Sequence, residues 1–150
     1  EMLVKSYIGK ALDTSPLNIE ISEHSNGKPY VKNSPVHFNI SHSENMLICA
    51  FSDNEIGVDI EKIRPISLSV LKRFFSEKEQ EYVLGHTPDE KDFTMCNDKE
   101  ILGRFCQLFT LKEAICKKSG IGVMGIKDAD TLPYLNCSFK ENDFYISIIE

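Results

Sequence analysis

The chain has 150 residues, 41% of them hydrophobic and 27% charged, the make-up of one globular domain with a real core. Its 17 basic residues against 23 acidic ones leave a net charge of -6, which opposes general binding to a phosphate backbone; no nucleic-acid partner is expected, and an anionic ligand must be met by a few locally placed cations. No apolar run reaches the roughly 18 residues of a membrane span, the stretch from Glu1 to Leu12 lacks the order of a signal peptide, and the five cysteines, odd in number and without a Cys-x-x-Cys pair, argue against a disulfide framework or a zinc site. The expectation is a cytoplasmic protein with no membrane partner.

Val4, Ile8, Ala11 and Leu12 recur at helical spacing and Thr14-Ser15-Pro16 ends the pattern, which predicts a helix over residues 2–12. Residues 17–22 alternate apolar and polar like a half-buried strand. Ser25-Asn26-Gly27-Lys28-Pro29 reads as a turn, because Asn-Gly accepts positive φ and proline fixes its own. Three strand-like runs follow at residues 36–41, 46–51 and 56–61, and the polar Ser52-Asp53-Asn54-Glu55 between the last two suits a hairpin with antiparallel pairing.

Beyond Pro65 the pattern turns helical, with Leu68, Leu71 and Phe75 on one side, and Ser76 with Glu79 forms a capping box for a second short helix. Residues 85–98 read as a loop. A longer helix over about residues 98–118 carries Ile101, Phe105, Leu108 and Ile115 in one stripe and stops at Ser119-Gly120. Residues 136–149 read as two strands about the turn Glu141-Asn142-Asp143, and no internal repeat or low-complexity segment is present.

Three short stretches carry candidate chemistry. In Gly57-Val58-Asp59-Ile60-Glu61 the period of two sets Val58 and Ile60 on one face of a strand and both carboxylates on the other. That pattern serves a solvated strand face or a hard divalent cation such as magnesium, which takes oxygen ligands from carboxylates, waters and substrate phosphates. Glu113 and Lys117, four residues apart on the long helix, are either a surface ion pair or a phosphate site in which the carboxylate holds metal and the ammonium meets phosphate oxygen. Ser41-His42 ends a strand at a possible cleft; as strand neighbours the two face opposite ways, and no Gly-x-Ser-x-Gly elbow supports a nucleophile and base pair.

Taken in order, Asn-Gly-Lys-Pro at 26–29, His-Phe-Asn-Ile-Ser-His-Ser at 37–43, Gly-Val-Asp-Ile-Glu at 57–61, Arg-Phe-Phe-Ser at 73–76 and Phe-Thr-Leu-Lys-Glu-Ala at 109–114 with Lys117 resemble the surfactin-synthetase-activating type of phosphopantetheinyl transferase. The resemblance runs from about Leu3 to Gly122. It implies an α+β fold, an antiparallel sheet with packed helices, whose first half is incomplete: residues 1–56 as the remnant of that half and 57–150 as the second half. It further implies Mg2+ as cofactor, coenzyme A as substrate and an acyl or peptidyl carrier protein as partner. In that scheme Asp59, Glu61 and Glu113 are the metal ligands, Lys117 contacts the pyrophosphate, and Ser41 and His42 hold the nucleotide phosphates, His42 favouring the 3′-phosphate. Lys28 and Pro29 lie beside the nucleotide. In the mechanism we expect on that basis, Glu113, directly or through a metal-bound water, or else Glu61 accepts the carrier serine's proton.

The chain departs from the family pattern by starting well inside the first half, without the early basic residues that grip the 3′-phosphate, and by ending before the usual closing strands. The expectation is either a natural short form, which a homo-oligomer would complete, or a fragment of a longer product. Phe109 stands where the family commonly has tryptophan, a change of packing rather than of chemistry. Ile66, Leu68, Leu71 and Phe74 with Lys72 and Arg73 are either a carrier-docking surface or core with a solvated edge. Rival readings are an inactive coenzyme A or carrier-protein binding module, a metal-dependent hydrolase of nucleotide pyrophosphates, and the short trimeric acyl-carrier synthase type, whose Gly-x-Asp motif belongs near a chain start rather than at Gly57.

Overall fold

Architecture is described from a computed structural model covering residues 1–121 and 125–150; Gly122, where the family resemblance ends, lies outside the described residues. Helix α1 (Met2–Ala11) buries Val4 and Ile8 against Ile19, Val31 and Phe38. The strand expected over residues 17–22 is corrected. Pro16–Asn18 forms a 3-10 turn capped by Ser15, whose hydroxyl accepts from the Leu17 N–H, because proline's fixed φ behind a serine cap starts a helical turn. Strand β1 (Ile21–Glu23) begins only after it and pairs antiparallel with β2 (Pro29–Val31) across the Asn-Gly turn.

Strands β3 (His37–Ser43) and β4 (Met46–Ser52) form an antiparallel pair, with His37 opposite Ser52. The hairpin expected between β4 and the next strand is not formed. Strand β5 (Gly57–Lys62) pairs instead with the last strand, and residues 52–55 carry the chain from one sheet to the other. That crossing is fastened by the Ser52 hydroxyl and the Asn54 amide, both donating to the Glu150 carboxylate, so the turn-forming residues tie down a junction rather than reverse a strand. After β6 (Ile66–Ser67), α2 (Ser69–Phe74) and α3 (Glu77–Leu84), residues 85–98 hold a 3-10 turn at Glu90–Asp92 and a short β7 (Met95–Cys96) paired with β6. Ser76 and Glu79 form the expected capping box at the start of α3.

Helix α4 (Lys99–Ser119) opens on Asp98, whose carboxylate accepts from the Glu100 and Ile101 N–H groups at 2.9 and 3.0 Å, a cap contributing about 1 kcal/mol. Its end is set by Gly120, held at φ 70°, where a side chain would also strike the Asn26 amide. Phe105 and Leu108 of the expected stripe are buried, but so are Leu102, Cys106, Leu111 and Ala114, because α4 is packed against β5 and β9 on one side and α3 on another. A six-residue 3-10 stretch (Leu132–Cys137) leads into β8 (Ser138–Glu141) and β9 (Phe144–Ile149), giving an antiparallel sheet in the order β5-β9-β8.

Leu68 and Leu71 are 3% and 0% exposed within the core around α4, so these two are core and not a docking face. All five cysteines are free, and among the described residues no helix is long and apolar enough to cross a membrane. The α+β class with antiparallel sheets and packed helices is as the sequence led us to expect.

Candidate active site

Gly57 determines how closely α4 approaches β5. A Cβ there would lie 1.9 Å from the Ala114 carbonyl oxygen and 2.6 Å from the Lys118 nitrogen, so only hydrogen at this position lets the helix backbone rest on the strand. The contact brings the turn of α4 that carries Glu113 and Lys117 over Asp59. Strand alternation then does the rest: Val58 and Ile60, 0% and 1% exposed, enter the core, and Asp59 and Glu61 point the other way.

On that side β3 runs alongside β5 in the same direction, joined to it by side chains. The Asn39 side-chain oxygen accepts from the Val58 N–H at 3.0 Å, the Ser41 hydroxyl donates to Asp59 Oδ1 at 2.7 Å, and the Ser43 hydroxyl donates to Glu61 Oε2 at 3.2 Å. Lys117 reaches across from α4, its Nζ 2.6 Å from Asp59 Oδ1 and 2.9 Å from Ser41 Oγ. Ser41 is therefore buried against a carboxylate and an ammonium, while His42 is exposed; the two do not form a nucleophile and base pair.

Ser41, His42, Asp59, Glu61, Glu113 and Lys117 border one cavity of about 370 Å³, with Ile40 and Phe109 as apolar walls. A neighbouring cavity of about 270 Å³ shares Ile40, Glu113 and Lys117 with it and adds Lys28 and Pro29. All eight sequence-predicted residues thus line two adjoining spaces. The Lys28 ammonium itself is engaged with Glu55 at 2.5 Å and the Lys118 carbonyl at 2.8 Å.

Electrostatics in the first cavity are unbalanced. Burial pushes the Glu61 carboxyl above the ordinary value and the charge of Asp59 adds to it, with the Ser43 hydroxyl pulling the other way. Glu113 is raised by burial first and then by Asp59, against the pull of Lys117. Asp59 Oδ2 is buried and, among the described residues, has no hydrogen-bond partner, a costly condition for a carboxylate oxygen. Among the described residues no three acidic, histidine or cysteine side chains are gathered to metal-binding distance; the carboxylates share a wall rather than a point. The donor set nonetheless fits a hard cation: oxygen ligands, one of them unpaired, beside a lysine suited to phosphate.

The family model described as the 4'-phosphopantetheinyl transferase superfamily matches residues 55–144, which carry Asp59, Glu61, Glu113 and Lys117. The chain belongs to that superfamily. It is 38% identical over 125 residues to the 4'-phosphopantetheinyl transferase Sfp of Bacillus subtilis (strain 168), a match covering 82% of this chain and 51% of that protein. The 4'-phosphopantetheinyl transferase gsp of Aneurinibacillus migulanus is 31% identical over 123 residues, 82% of this chain and 47% of its own. The 4'-phosphopantetheinyl transferase HetI of Nostoc sp. is 32% identical over 135 residues, 85% and 53%. The chain spans about half the length of the curated relatives it matches.

Sequence reasoning missed the roles of Asn39 and Ser43 at the site and, outside it, that of Lys112. Asn39 and Ser43 left a signal, since the polar residues 39, 41 and 43 alternate in step with 59 and 61. Lys112 left none: a lysine beside Leu111 on a helix reads as solvated, yet its side chain is fully buried, 3.0 Å from Glu79 Oε2.

Proposed function

We propose that the cavity between β3, β5 and α4 is a site for Mg2+-dependent transfer of 4'-phosphopantetheine from coenzyme A to a serine of an acyl or peptidyl carrier protein, with release of 3',5'-ADP. The observation that carries this reading is the Asp59 carboxylate, held through one oxygen by Lys117 and Ser41 and buried with the other unpaired. Asp59, Glu61 and Glu113 would hold the cation. A bound magnesium would supply charge neutralisation on the pyrophosphate oxygens.

The chain's own groups account for the remainder. Lys117, 30% exposed at the cavity wall, is placed to meet a phosphate oxygen, and Ser41 and His42 border the same space for the nucleotide phosphates. Lys28 and Pro29 line the adjoining cavity on the nucleotide side. As the carrier's serine oxygen bonds to the β-phosphorus and the bond to the bridging oxygen of the departing 3',5'-ADP breaks, the hydroxyl proton passes to Glu113 or Glu61. Both border the cavity in which the phosphates would lie, within reach of a proton released there. Separate core clusters around α1 with β3 and around α4 speak for dividing the chain at residues 56 and 57, although Ala50, Ile56 and Val58 form a further cluster across that boundary, and five free thiols support a cytoplasmic location.

Mass spectrometry tests the reading. An apo carrier incubated with the chain, coenzyme A and Mg2+ is expected to gain the phosphopantetheine mass. Asp59→Ala should lower the rate at least about a hundredfold, since several kcal/mol of charge stabilisation are lost. Coenzyme A binding without mass gain would make the chain a binding module, and 3',5'-ADP release without a carrier would make it a hydrolase.

A further inference from the structure

The seam between β3 and β5 is built to a regular plan. Ser41 and Ser43 are two residues apart on β3, Asp59 and Glu61 two apart on β5, and each serine hydroxyl donates to the carboxylate eighteen positions on. In both cases the donor direction is forced. Ser41 Oγ accepts from the Lys117 ammonium, which has only hydrogens to offer, so the serine's own proton is left for Asp59. Ser43 Oγ accepts from the Lys62 backbone N–H at 3.2 Å, which leaves its proton for Glu61. The Lys62 N–H is fixed by the strand, so the serine is held at a defined point and the Glu61 carboxylate is held through it.

We propose that Ser43 is a positioning residue that aims the Glu61 carboxylate into the cavity, as Ser41 does for Asp59. It rests on the reading of Glu61 as a ligand in the proposed site. Glu61 is half-buried and has three side-chain torsions between backbone and carboxylate, so one fixed hydrogen bond on Oε2 narrows the directions open to Oε1. Groups that orient ligating carboxylates typically change metal affinity or activity by about 10–100-fold when removed.

The test measures Mn2+ binding to the whole chain by electron paramagnetic resonance, well below the unfolding midpoint of each variant, with no coenzyme A or carrier present. Ser43→Ala is expected to weaken Mn2+ binding about tenfold, and Ser43→Thr, which keeps the hydroxyl, to stay within about twofold of the wild type. In a Glu61→Ala background the Ser43→Ala change should have no further effect, since the two act as one unit. Should Ser43→Ala fail to fold, Ser43→Thr against Ser43→Val makes the same comparison at equal shape.

Two results overturn the proposal while leaving the site reading in place, provided that Asp59→Ala loses Mn2+ binding. One is Ser43→Ala, or Ser43→Val, binding Mn2+ like the wild type. The other is Ser43→Ala and Glu61→Ala weakening it additively. A wild-type chain that binds Mn2+ no better than Asp59→Ala overturns the metal reading, and the role of Ser43 with it.

Discussion

Helix α4 carries two lysines five residues apart, Lys112 and Lys117, that have opposite fates. Lys112 is 0% exposed and paired with Glu79, itself 1% exposed. Every polar atom there is matched: the ammonium also donates to the Ala129 carbonyl and faces the Phe75 ring, Glu79 Oε2 accepts from the Ser76 N–H, and Glu79 Oε1 accepts from the N–H and hydroxyl of Thr131. Lys117, by contrast, is 30% exposed and meets a carboxylate whose second oxygen has no partner among the described residues, between two glutamates raised above their ordinary pKa. A closed network of charges fixes structure. An open one, kept under strain by burial, is suited to receive something from outside.

The largest effect expected from that contrast is on stability at the closed network. Lys112→Ala leaves the Glu79 charge buried and unpaired and should destabilise the chain by about 3–5 kcal/mol in urea or thermal unfolding. Gly57→Ala comes next. It forces the α4 backbone off β5 and should cost about 1–3 kcal/mol, and because Lys117 moves away from Asp59, transfer should fall by more than the stability loss explains.

A smaller effect separates the two regions by pH. Burial opposes ionisation of Glu79, but hydrogen bonds from Thr131 and Ser76 and the pull of Lys112 outweigh it and hold its carboxyl below the ordinary 4.5. The unfolded chain therefore binds the proton first, so the stability from this group is present above about pH 4.5 and is lost as pH falls through the lowered value. Melting curves between pH 6 and pH 3, each wild-type point paired with Glu79→Gln, should show the wild type losing this advantage with acid. The smallest stability effect belongs to Asp59→Ala, which removes an unsatisfied buried oxygen and leaves Lys117 access to water. Its unfolding free energy should stay within about 1 kcal/mol of the wild type, in sharp contrast to Lys112→Ala.

Much of this was legible in the sequence because it is local. The capping box of Ser76 and Glu79, the start of α4 near Asp98, the stop at Gly120 and the alternation that turns Asp59 and Glu61 away from Val58 and Ile60 are set by neighbours within a few residues. The partner of β5 was not legible: the polar run 52–55 carries the signature of a reversal, and nothing in it says that β9, at the far end of the chain, completes the sheet. The candidate site residues were named through motif order, whereas Ser43 and Lys112 draw their contacts from groups 18 and 33 positions away, and burial of a lysine depends on what packs over it.

The most direct measurement is a calorimetric titration of coenzyme A into the wild-type chain and Asp59→Ala, each with and without Mg2+. If the open network at Asp59 exists to receive a cation and a pyrophosphate, the wild type should bind coenzyme A more tightly when Mg2+ is present, and Asp59→Ala, equally folded, should lose that dependence. Equal binding by both chains, indifferent to Mg2+, would contradict it.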